Sequence, residues 1–269
     1  MYKYTMSILQ RITPLILTYN EEPNIERTLQ KLFWANEIIV IDSFSKDKTL
    51  EILNNHPQVQ IFQRKFDTFA TQCNYGLEKI SSEWVLSLDA DYILSDELID
   101  EIKSLSTDPN IDSYNVRFKY CIFGKALQGT LLPPRNILYK RKKAIYLDDG
   151  HAHRVLVDGK TSKLSAYIYH DDRKDLSRWL ISQDKYMLDE VKKLLETPFD
   201  QLSLTDRIRK YKVLAPFLVF IYCLILKRGL FDGWHGWYYA LQRLLAEVLL
   251  AIRLFEYEKS QNLNVSKKN

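Results

Sequence analysis

The sequence of 269 residues predicts an α/β protein in which helices cover both faces of a largely parallel sheet. Three observations support this prediction. Runs of Val, Ile and Leu of strand length alternate with amphipathic segments of helical period, and polar loops follow the ends of these runs. The hydrophobic content of 46% is high enough for a chain of this length to bury a substantial core.

The clearest strands lie before residue 105, and a helix is predicted after each of the first three. Each strand is nearly continuous in apolar residues, as is typical of strands buried on both faces. Ligands bind such sheets outside the carboxyl ends of the strands, so we expect a site there. The predicted strands are Ile12–Leu17, Glu37–Ile41, Val59–Phe62 and Trp84–Leu88, and the helices are Ile25–Phe33, Leu50–Leu53 and Thr68–Ile80.

After Leu105 apolar and polar residues alternate, which predicts antiparallel or mixed strands. The alternating segments are Asp112–Phe123, Asn136–Lys140 and Arg154–Val157. We therefore predict one domain over residues 1–174, divided into halves at 1–105 and 106–174. Amphipathic helices follow over 175–259, and the polar segment 260–269 is predicted to be disordered.

The segment Trp84–Tyr92 ends a predicted strand with two carboxylates, Asp89 and Asp91, one residue apart. Mg²⁺ and Mn²⁺ are held by a few hard oxygen ligands and leave other positions to substrate phosphates. The pair therefore fits a metal-diphosphate site. Acidic pairs also occur at helix starts, and Ser95-Asp96-Glu97 predicts such a start just afterwards.

Three motifs occur in one order: LTYNEE at Leu17–Glu22, IDSFSKDKT at Ile41–Thr49, and LDADY at Leu88–Tyr92. In this order and spacing they resemble the family 2 inverting glycosyltransferases of GT-A (Rossmann-like) fold. Gln72-Cys73-Asn74 and His170–Trp179 are similar to the membrane-associated lipopolysaccharide core β-glucosyltransferases. The resemblance implies a nucleotide-binding half at 1–105, an acceptor half at 106–174, and transfer from a nucleotide-sugar donor.

The resemblance also implies which residues border the nucleotide. Asp42 would accept an N–H of uracil, since an ionised carboxylate only accepts hydrogen bonds. The alternative for Asp42 is a loop cap for the following helix. Arg64 would steady phosphate charge or lie solvated on the surface. The implied nucleotide-binding residues are Thr18, Tyr19, Glu21, Asp42, Ser43, Arg64, Asn74 and Asp89.

For the metal, Mn²⁺ or Mg²⁺, the resemblance implies Asp91 as the direct ligand. Asp89 would hold the ribose or complete the metal shell. His170 follows the predicted strand Leu164–Tyr169 and is a further metal ligand by the same resemblance. A histidine between a strand and a helix is equally explained as a cap, so both interpretations stay open.

Inverting transfer requires a general base that takes the proton of the acceptor hydroxyl. The candidate is Asp149, followed by Asp148 and His151. The family commonly has a carboxylate where this chain has Arg154, which keeps open a catalytically impaired, transferase-like membrane scaffold. A zinc site at His151 and His153 is disfavoured because no closed set of Cys and His ligands surrounds them.

The apolar run Val213–Leu226 is shorter than the ~20 residues that cross a bilayer. Basic clusters at Arg207–Lys212 and Lys227-Arg228 flank it, which favours a helix at the surface of an anionic membrane. A buried helix is the alternative. The last helix is predicted over Trp237–Tyr257.

The three cysteines have no disulfide spacing and the N-terminus has no secretory pattern, so we expect a protein on the cytoplasmic face of the cytoplasmic membrane. A net charge of +4 does not indicate a nucleic-acid partner. The expected function is hexose transfer from a UDP-sugar to a glycolipid or lipid-linked glycan of the lipopolysaccharide core. A metal-dependent phosphohydrolase is less favoured because Tyr92 and Ile93 follow the carboxylates instead of a small hydroxyl residue.

Overall fold

A computed structural model describes residues 8–105, 108–149 and 152–266, without the side chains of 148–149, 152–154 and 261–266. The chain divides into two units. The first comprises Met1–Ala126 and Leu132–Arg173, and the second comprises Leu127–Leu131 and Lys174–Asn269. The short segment Leu127–Leu131 was not expected in the second unit. Its backbone N–H groups at Gln128 and Leu131 donate to side chains of that unit.

The first unit contains one large mixed sheet, with strand order β3-β2-β1-β4-β8-β6-β11-β5 and β7 paired to β6. The four strands β3, β2, β1 and β4 run parallel, β8 is antiparallel to both β4 and β6, and β11 is parallel to β6 and antiparallel to β5. Strands β9 and β10 form a separate antiparallel hairpin. The strands are β1 (Ile12–Thr18), β2 (Ile38–Asp42), β3 (Val59–Gln63), β4 (Trp84–Asp89), β5 (Tyr92–Leu94), β6 (Ile111–Ile122), β7 (Lys125–Ala126), β8 (Arg135–Lys140), β9 (Ala144–Asp149), β10 (Ala152–Val157) and β11 (Lys160–His170).

Side chains of the parallel strands alternate between two apolar cores, one on each face of the sheet. On β1, Ile12 and Ile16 belong to one core, whereas Leu15 belongs to the other. Helices α1 (Ile25–Gln30) and α4 (Asp96–Ser104) contribute to the first core, and α3 (Phe69–Lys79) contributes to the second. This confirms the predicted mixed α/β sheet with helices on both faces.

Local sequence signals set the helix boundaries in this unit. Thr68 and Ser95 lie at the N-caps of α3 and α4, and their hydroxyls accept the N–H groups of Thr71 and Leu98. Helix α2 (Thr49–Asn54) is close to its predicted range. Helix α1 ends earlier than predicted, because hydrogen bonds of the tighter i to i+3 type close the chain over Lys31 and Leu32.

The second unit is helical. Helix α5 places Met187, Val191 and Leu194 in a core with Leu250 and Leu254 of α8. No helix in the described segments combines the length and the apolar content that a bilayer crossing requires. The helices are α5 (Leu176–Glu196), α6 (Leu204–Arg209), α7 (Leu214–Ile221), a π-helical turn (Tyr222–Leu226) and α8 (Trp234–Ser266). Short 3₁₀ helices in the chain are Ile8–Arg11, Arg141–Lys143, Phe199–Gln201 and Gly229–Asp232.

Helix α8 is 33 residues long and corrects two expectations. It begins at Trp234 and not at Trp237, and it includes residues 260–266, the described part of the segment 260–269 that was expected to be disordered. The physical reason is that residues 260–266 contain neither Gly nor Pro, the two residues that most strongly break a helix.

Candidate active site

Asp42 ends β2 and is the centre of a hydrogen-bond network between the loops after β1 and β2. It is 0% exposed, and the parallel register places it beside Thr18, whose hydroxyl donates to Oδ2 at 2.9 Å. Ser45 donates its backbone N–H at 2.9 Å and its hydroxyl at 2.5 Å. Gln63 Nε2 lies farther away, at 3.3 Å from Oδ1. These hydrogen bonds hold Asp42 between the two loops, and none of them comes from α2, whose N-cap residue is Lys48. The base-binding role stays a prediction.

Two aromatic side chains are exposed in the same pair of loops. Tyr19 is 54% exposed and Phe44 is 51% exposed. Phe44 has a φ of 61° and Asn20 a φ of 55°, so both loops bend through left-handed backbone. Asn20 ties the loops together, because its N–H donates to Ser45 and its side-chain oxygen accepts the N–H of Lys46. Tyr19 was singled out from sequence; Phe44 was not, although an aromatic next to Asp42 is a visible signal.

Glu21 and Ser43 were also predicted to border the nucleotide. The Glu21 N–H donates to the Thr49 hydroxyl at 2.7 Å, and the Glu21 carboxylate accepts from Asn24 at 2.9 Å. The Ser43 hydroxyl accepts from Gln72 Nε2 at 3.1 Å. Both residues therefore lie in the loops that surround Asp42.

Arg64 follows β3 and makes a bidentate ion pair with Asp67, at 2.8 and 2.7 Å. The guanidinium hydrogen bonds hold the pKa of the Asp67 carboxyl well below its usual range. Arg64 also donates to Gln72 Oε1 at 3.0 Å. The Arg64 charge is therefore paired within the chain, and its contact with donor phosphate stays a prediction.

Asn74 faces the β9–β10 hairpin through its side-chain amide. Its Nδ2 donates to the Tyr146 carbonyl at 3.0 Å, and its Oδ1 accepts the Tyr146 N–H at 3.0 Å. Asn74 was predicted to bind nucleotide, and that role stays untested.

Asp91 and His170 come together although they lie 79 residues apart in sequence. His170 Nε2 lies 2.9 Å from Asp91 Oδ2, and Asp91 is 8% exposed. The His170 ring packs edge-on against Tyr92 and Tyr120. Burial lowers the pKa of His170, but the Asp91 carboxylate raises it, and the net pKa is above its usual value.

Arg135 is a charged residue near Asp91 that the sequence did not assign to the metal site. It starts β8 and donates to the Tyr92 hydroxyl at 3.2 Å. Burial lowers the pKa of Arg135, whereas the Tyr92 phenol and the carboxylates of Asp89 and Asp91 raise it, and the net pKa is raised. Arg135 therefore offsets part of the negative charge of the Asp89-Asp91 pair.

Asp171 is hydrogen-bonded to the backbone of Asp91 and to nearby arginines. Its backbone N–H donates to the Asp91 carbonyl at 3.0 Å, and its buried carboxylate accepts from Arg27 at 2.6 Å. Arg173 donates to both carboxylate oxygens, at 2.9 and 2.8 Å. The HDDR sequence at 170–173 was the available signal for this network, but nothing near it in sequence indicates Arg27.

The predicted catalytic residues lie on the β9–β10 hairpin or just beyond its described strands. Asp148 and Asp149 end β9, where backbone pairing joins Asp149 to Ala152 of β10, and their side chains are not described. His151 lies outside the described residues. The described chain thus places the backbone of both aspartates, and the general base stays a prediction.

The residues at the Asp91 corner fit a divalent metal. The described segments contain no cluster of three or more potential His, Cys, Asp or Glu ligands. Mg²⁺ and Mn²⁺ bind nucleotides through only one or two protein carboxylates and take further ligands from phosphate and water. Asp91 and His170 supply such a partial set, and His170 Nδ1 is buried with no hydrogen-bond partner among the described residues.

Comparison with known proteins now defines the class of this chain. A family model described as glycosyl transferase family 2 matches residues 15–155, more than half of the chain. The chain belongs to glycosyl transferase family 2, and its fold is a mixed α/β fold of GT-A type. This confirms the resemblance at the level of the family.

The similarity of this chain to individual proteins is low. An uncharacterized glycosyltransferase of Rickettsia bellii is 32% identical over 108 residues, covering 40% of this chain and 36% of that protein. Uncharacterized glycosyltransferase RT0209 of Rickettsia typhi is 26% identical and covers 70% of this chain and 69% of that protein. The crystal structure of S. aureus TarS 1-349 in complex with UDP-GlcNAc is 17% identical, with a TM-score of 0.48, covering 88% of this chain and 81% of that chain. The chain thus spans 36% of the length of the first of these relatives.

Proposed function

We propose that this protein is a metal-dependent inverting glycosyltransferase that transfers a hexose from a UDP-sugar to a lipid-linked acceptor. The observation that carries the proposal is the contact between Asp91 and His170 at the edge where β4 ends, in a chain of family 2. Parallel α/β sheets bind their ligands at this edge. Asp42 ends β2, a parallel strand separated from β4 by β1, and lies at the same edge.

The Asp42 network supports a uridine donor. Its carboxylate accepts hydrogen bonds only, and uracil offers an imide N–H, which cytosine lacks. Of the hydrogen bonds to Asp42, the one from Gln63 at 3.3 Å is the longest. We expect the uracil N–H to replace Gln63 while Thr18 and Ser45 keep the carboxylate in place. The exposed rings of Tyr19 and Phe44 then offer apolar surface to the base.

At the other end of the donor, Asp91 and His170 would hold Mn²⁺ or Mg²⁺, and Asp89 would support the metal shell or the ribose. When bound, the metal neutralises charge that develops on the departing diphosphate. Arg135 adds a fixed positive charge beside the same carboxylates.

The base belongs to the β9–β10 hairpin. Asp149 takes the proton of the acceptor hydroxyl, the hydroxyl oxygen bonds to the anomeric carbon, and the bond from that carbon to the diphosphate oxygen breaks. The sugar configuration inverts, and UDP leaves with the electron pair of the broken bond. Asp148 and His151 are the next candidates for this proton transfer.

The acceptor is a glycolipid or lipid-linked glycan, as in lipopolysaccharide core synthesis, presented at the cytoplasmic face of the membrane. The support is the exposed apolar face of α7, which includes Phe217 at 61% exposure. Residues spaced by three or four positions line this face, and Lys210, Lys227 and Arg228 lie at its two ends. The exposed residues are Leu214, Phe217, Leu218 and Ile221 of α7, together with Ile225 of the π-helical turn that follows it. Large exposed apolar patches mark binding surfaces, and basic flanks favour anionic lipid.

The test is UDP release from a panel of UDP-hexoses with Mn²⁺, with and without EDTA, compared between wild type and Asp91→Ala. We expect metal-dependent release that the substitution reduces to background. Robust turnover in EDTA, or unchanged turnover in the variant, would contradict the metal site. Release of inorganic phosphate instead of UDP would indicate a phosphohydrolase, and absence of turnover with intact UDP binding would indicate a scaffold.

A further inference from the structure

Among the described hydrogen bonds, Tyr146 is the residue that joins β9 to the rest of the first unit outside the β9–β10 hairpin, through both its backbone and its side chain. Ala144 of β9 adds apolar packing against the same core. The Asn74 amide closes two hydrogen bonds with the Tyr146 peptide groups, each at 3.0 Å. The Tyr146 hydroxyl donates to Ser87 Oγ at 2.7 Å and lies 2.7 Å from the Tyr139 hydroxyl. Tyr146 is buried, and burial raises the pKa of its phenol well above the ordinary value, so the phenol stays a neutral donor.

The hydroxyl and the peptide groups of Tyr146 contact different parts of the candidate site. Ser87 lies on β4, two residues before Asp89, so the Tyr146 hydroxyl connects β9 to the strand that ends at Asp89, two residues before Asp91. Asp148 and Asp149 lie two and three residues after Tyr146 on β9. The hydrogen bonds from Asn74 therefore hold the β9 backbone close to the predicted base. Among the described hydrogen bonds, Asn74 is the residue of α3 that contacts the Tyr146 backbone.

A second polar residue of α3, Gln72, contacts a different part of the candidate site. Gln72 is 1% exposed and donates to Ser43 Oγ at 3.1 Å and to the Arg64 carbonyl at 3.2 Å, in the loops after β2 and β3. Asn74 is directed to β9 instead. The helix lies close to the sheet because of Gly76, where a Cβ would overlap the Leu15 side chain. One rigid helix thus contacts the loops around Asp42 and the β9–β10 hairpin.

We propose that Asn74 is a positioning residue for the general base of the transfer reaction, acting through the Tyr146 backbone, and that it does not bind the nucleotide. The side chain of Asn74 occupies the place of a neighbouring strand for one residue of β9, since it satisfies both a carbonyl and an N–H as a sheet partner does. Without it, this edge of β9 loses both bonds and the hairpin shifts relative to β4. The proposal rests on the proposed transferase function.

The consequence is a division of roles along α3. Loss of the Asn74 amide slows the chemical step, because a displacement of a catalytic group by about 1 Å costs about 100-fold in rate. Donor binding is unaffected, since Asn74 contacts no residue of the Asp42 network among the described hydrogen bonds. Loss of the Gln72 amide has the reverse effect and weakens donor binding.

The experiment compares Asn74→Ala with Gln72→Ala, and uses Asn54→Ala at the exposed end of α2 as the matched control. Three quantities are measured: the Kd of UDP with Mn²⁺, kcat for UDP release from the UDP-hexose that wild type turns over, and amide hydrogen exchange across residues 144–157. For Asn74→Ala we expect an unchanged Kd within about two-fold, a kcat lower by about 100-fold, and at least ten-fold faster exchange in β9. For Gln72→Ala we expect a weaker Kd and unchanged exchange in β9.

If Asn74→Ala does not fold, Asn74→Asp provides the same test through pH. A protonated carboxyl can donate to the Tyr146 carbonyl and accept its N–H, whereas the ionised form cannot donate. We therefore expect kcat of this variant, relative to wild type, to rise as the pH falls through the carboxyl pKa. If the ratio of the Asn74→Asp kcat to the wild-type kcat does not change with pH, the proposal is overturned. It is also overturned if Asn74→Ala has the wild-type kcat, or if this variant loses UDP affinity by the same factor as kcat.

Failure of the proposed function has a different signature. In that case wild type releases no UDP from any donor, and hydrogen exchange alone decides whether Asn74 holds β9. If Asp149→Asn retains wild-type turnover while Asn74→Ala loses it, the base is a different residue of the hairpin and the positioning role stands. If neither substitution changes turnover, the positioning role is refuted.

Discussion

Asp171 provides the strictest test of the charge network behind the candidate metal site. Its side chain is 6% exposed, and Oδ2 accepts hydrogen bonds from Arg27 at 2.6 Å and Arg173 at 2.8 Å. The substitution Asp171→Asn keeps the size of the side chain but removes its charge. If the amide nitrogen takes the place of Oδ2, its N–H groups point at the N–H groups of Arg27 and Arg173, and no hydrogen bond can form.

The expected loss follows from these contacts. Hydrogen bonds to charged groups contribute about 1.5–3 kcal/mol each. The side chains of Arg27 and Arg173 are 28% and 38% exposed, so water compensates part of the loss. We expect about 2–4 kcal/mol of destabilisation in total, which lowers the thermal midpoint of a chain of this size by roughly 5–10 °C.

The assay is thermal unfolding followed by near-ultraviolet circular dichroism, with Glu83→Gln as the matched control. Glu83 pairs with Arg11 on the surface, where ion pairs contribute about 0–1 kcal/mol. We therefore expect a shift of no more than a few degrees for the control. A shift below about 1 °C for Asp171→Asn, or a shift equal to that of the control, refutes the assignment of Asp171 as a buried, structural anion.

Further predictions concern the donor site, the metal site and the exposed face of α7. Thr18→Val removes a buried hydrogen bond to Asp42 and should weaken UDP affinity measured by calorimetry by about ten-fold, as expected for a bond to a charged group; unchanged affinity would contradict the role of Asp42. Arg135→Gln removes the positive charge beside Asp91, so Mn²⁺ alone should bind several-fold more tightly, as measured by electron paramagnetic resonance. UDP together with Mn²⁺ should bind more weakly. Weaker binding of Mn²⁺ alone would refute this charge balance. Phe217→Glu should reduce flotation with anionic phosphatidylglycerol vesicles at least ten-fold without changing UDP affinity; unchanged flotation would exclude this face as the membrane contact.

Much of the first unit could be predicted because its signals are local. The four parallel strands are short runs of apolar residues, and each structural strand lies within one residue of its predicted boundaries. The N-cap at Ser95 is a signal of the same local kind. Helix α1 and helix α8 were less accurate at their ends, since a helix end depends on the hydrogen bonds that the next residues find.

The candidate site was predictable in part. The positions of Asp42, Asp89 and Asp91 at strand ends follow from the alternation of strands and helices alone. The resemblance added His170, and the structure then placed it beside Asp91. The sequence did not assign Arg135 to this site, because a basic residue at the start of a strand looks the same in sequence whether it faces solvent or a buried carboxylate.

By itself, the sequence determined the four parallel strands, the helices that follow the first three of them, and the polar groups that end these strands. Only the tertiary structure decided which of these groups meet. Asp171 contacts Arg27 across 144 residues, and Asn74 contacts Tyr146 across 72. The physical reason is that the period of apolar residues reports the direction of each side chain relative to its own strand or helix. The partner of each side chain depends on strand order and helix packing, which join segments that lie far apart in the sequence.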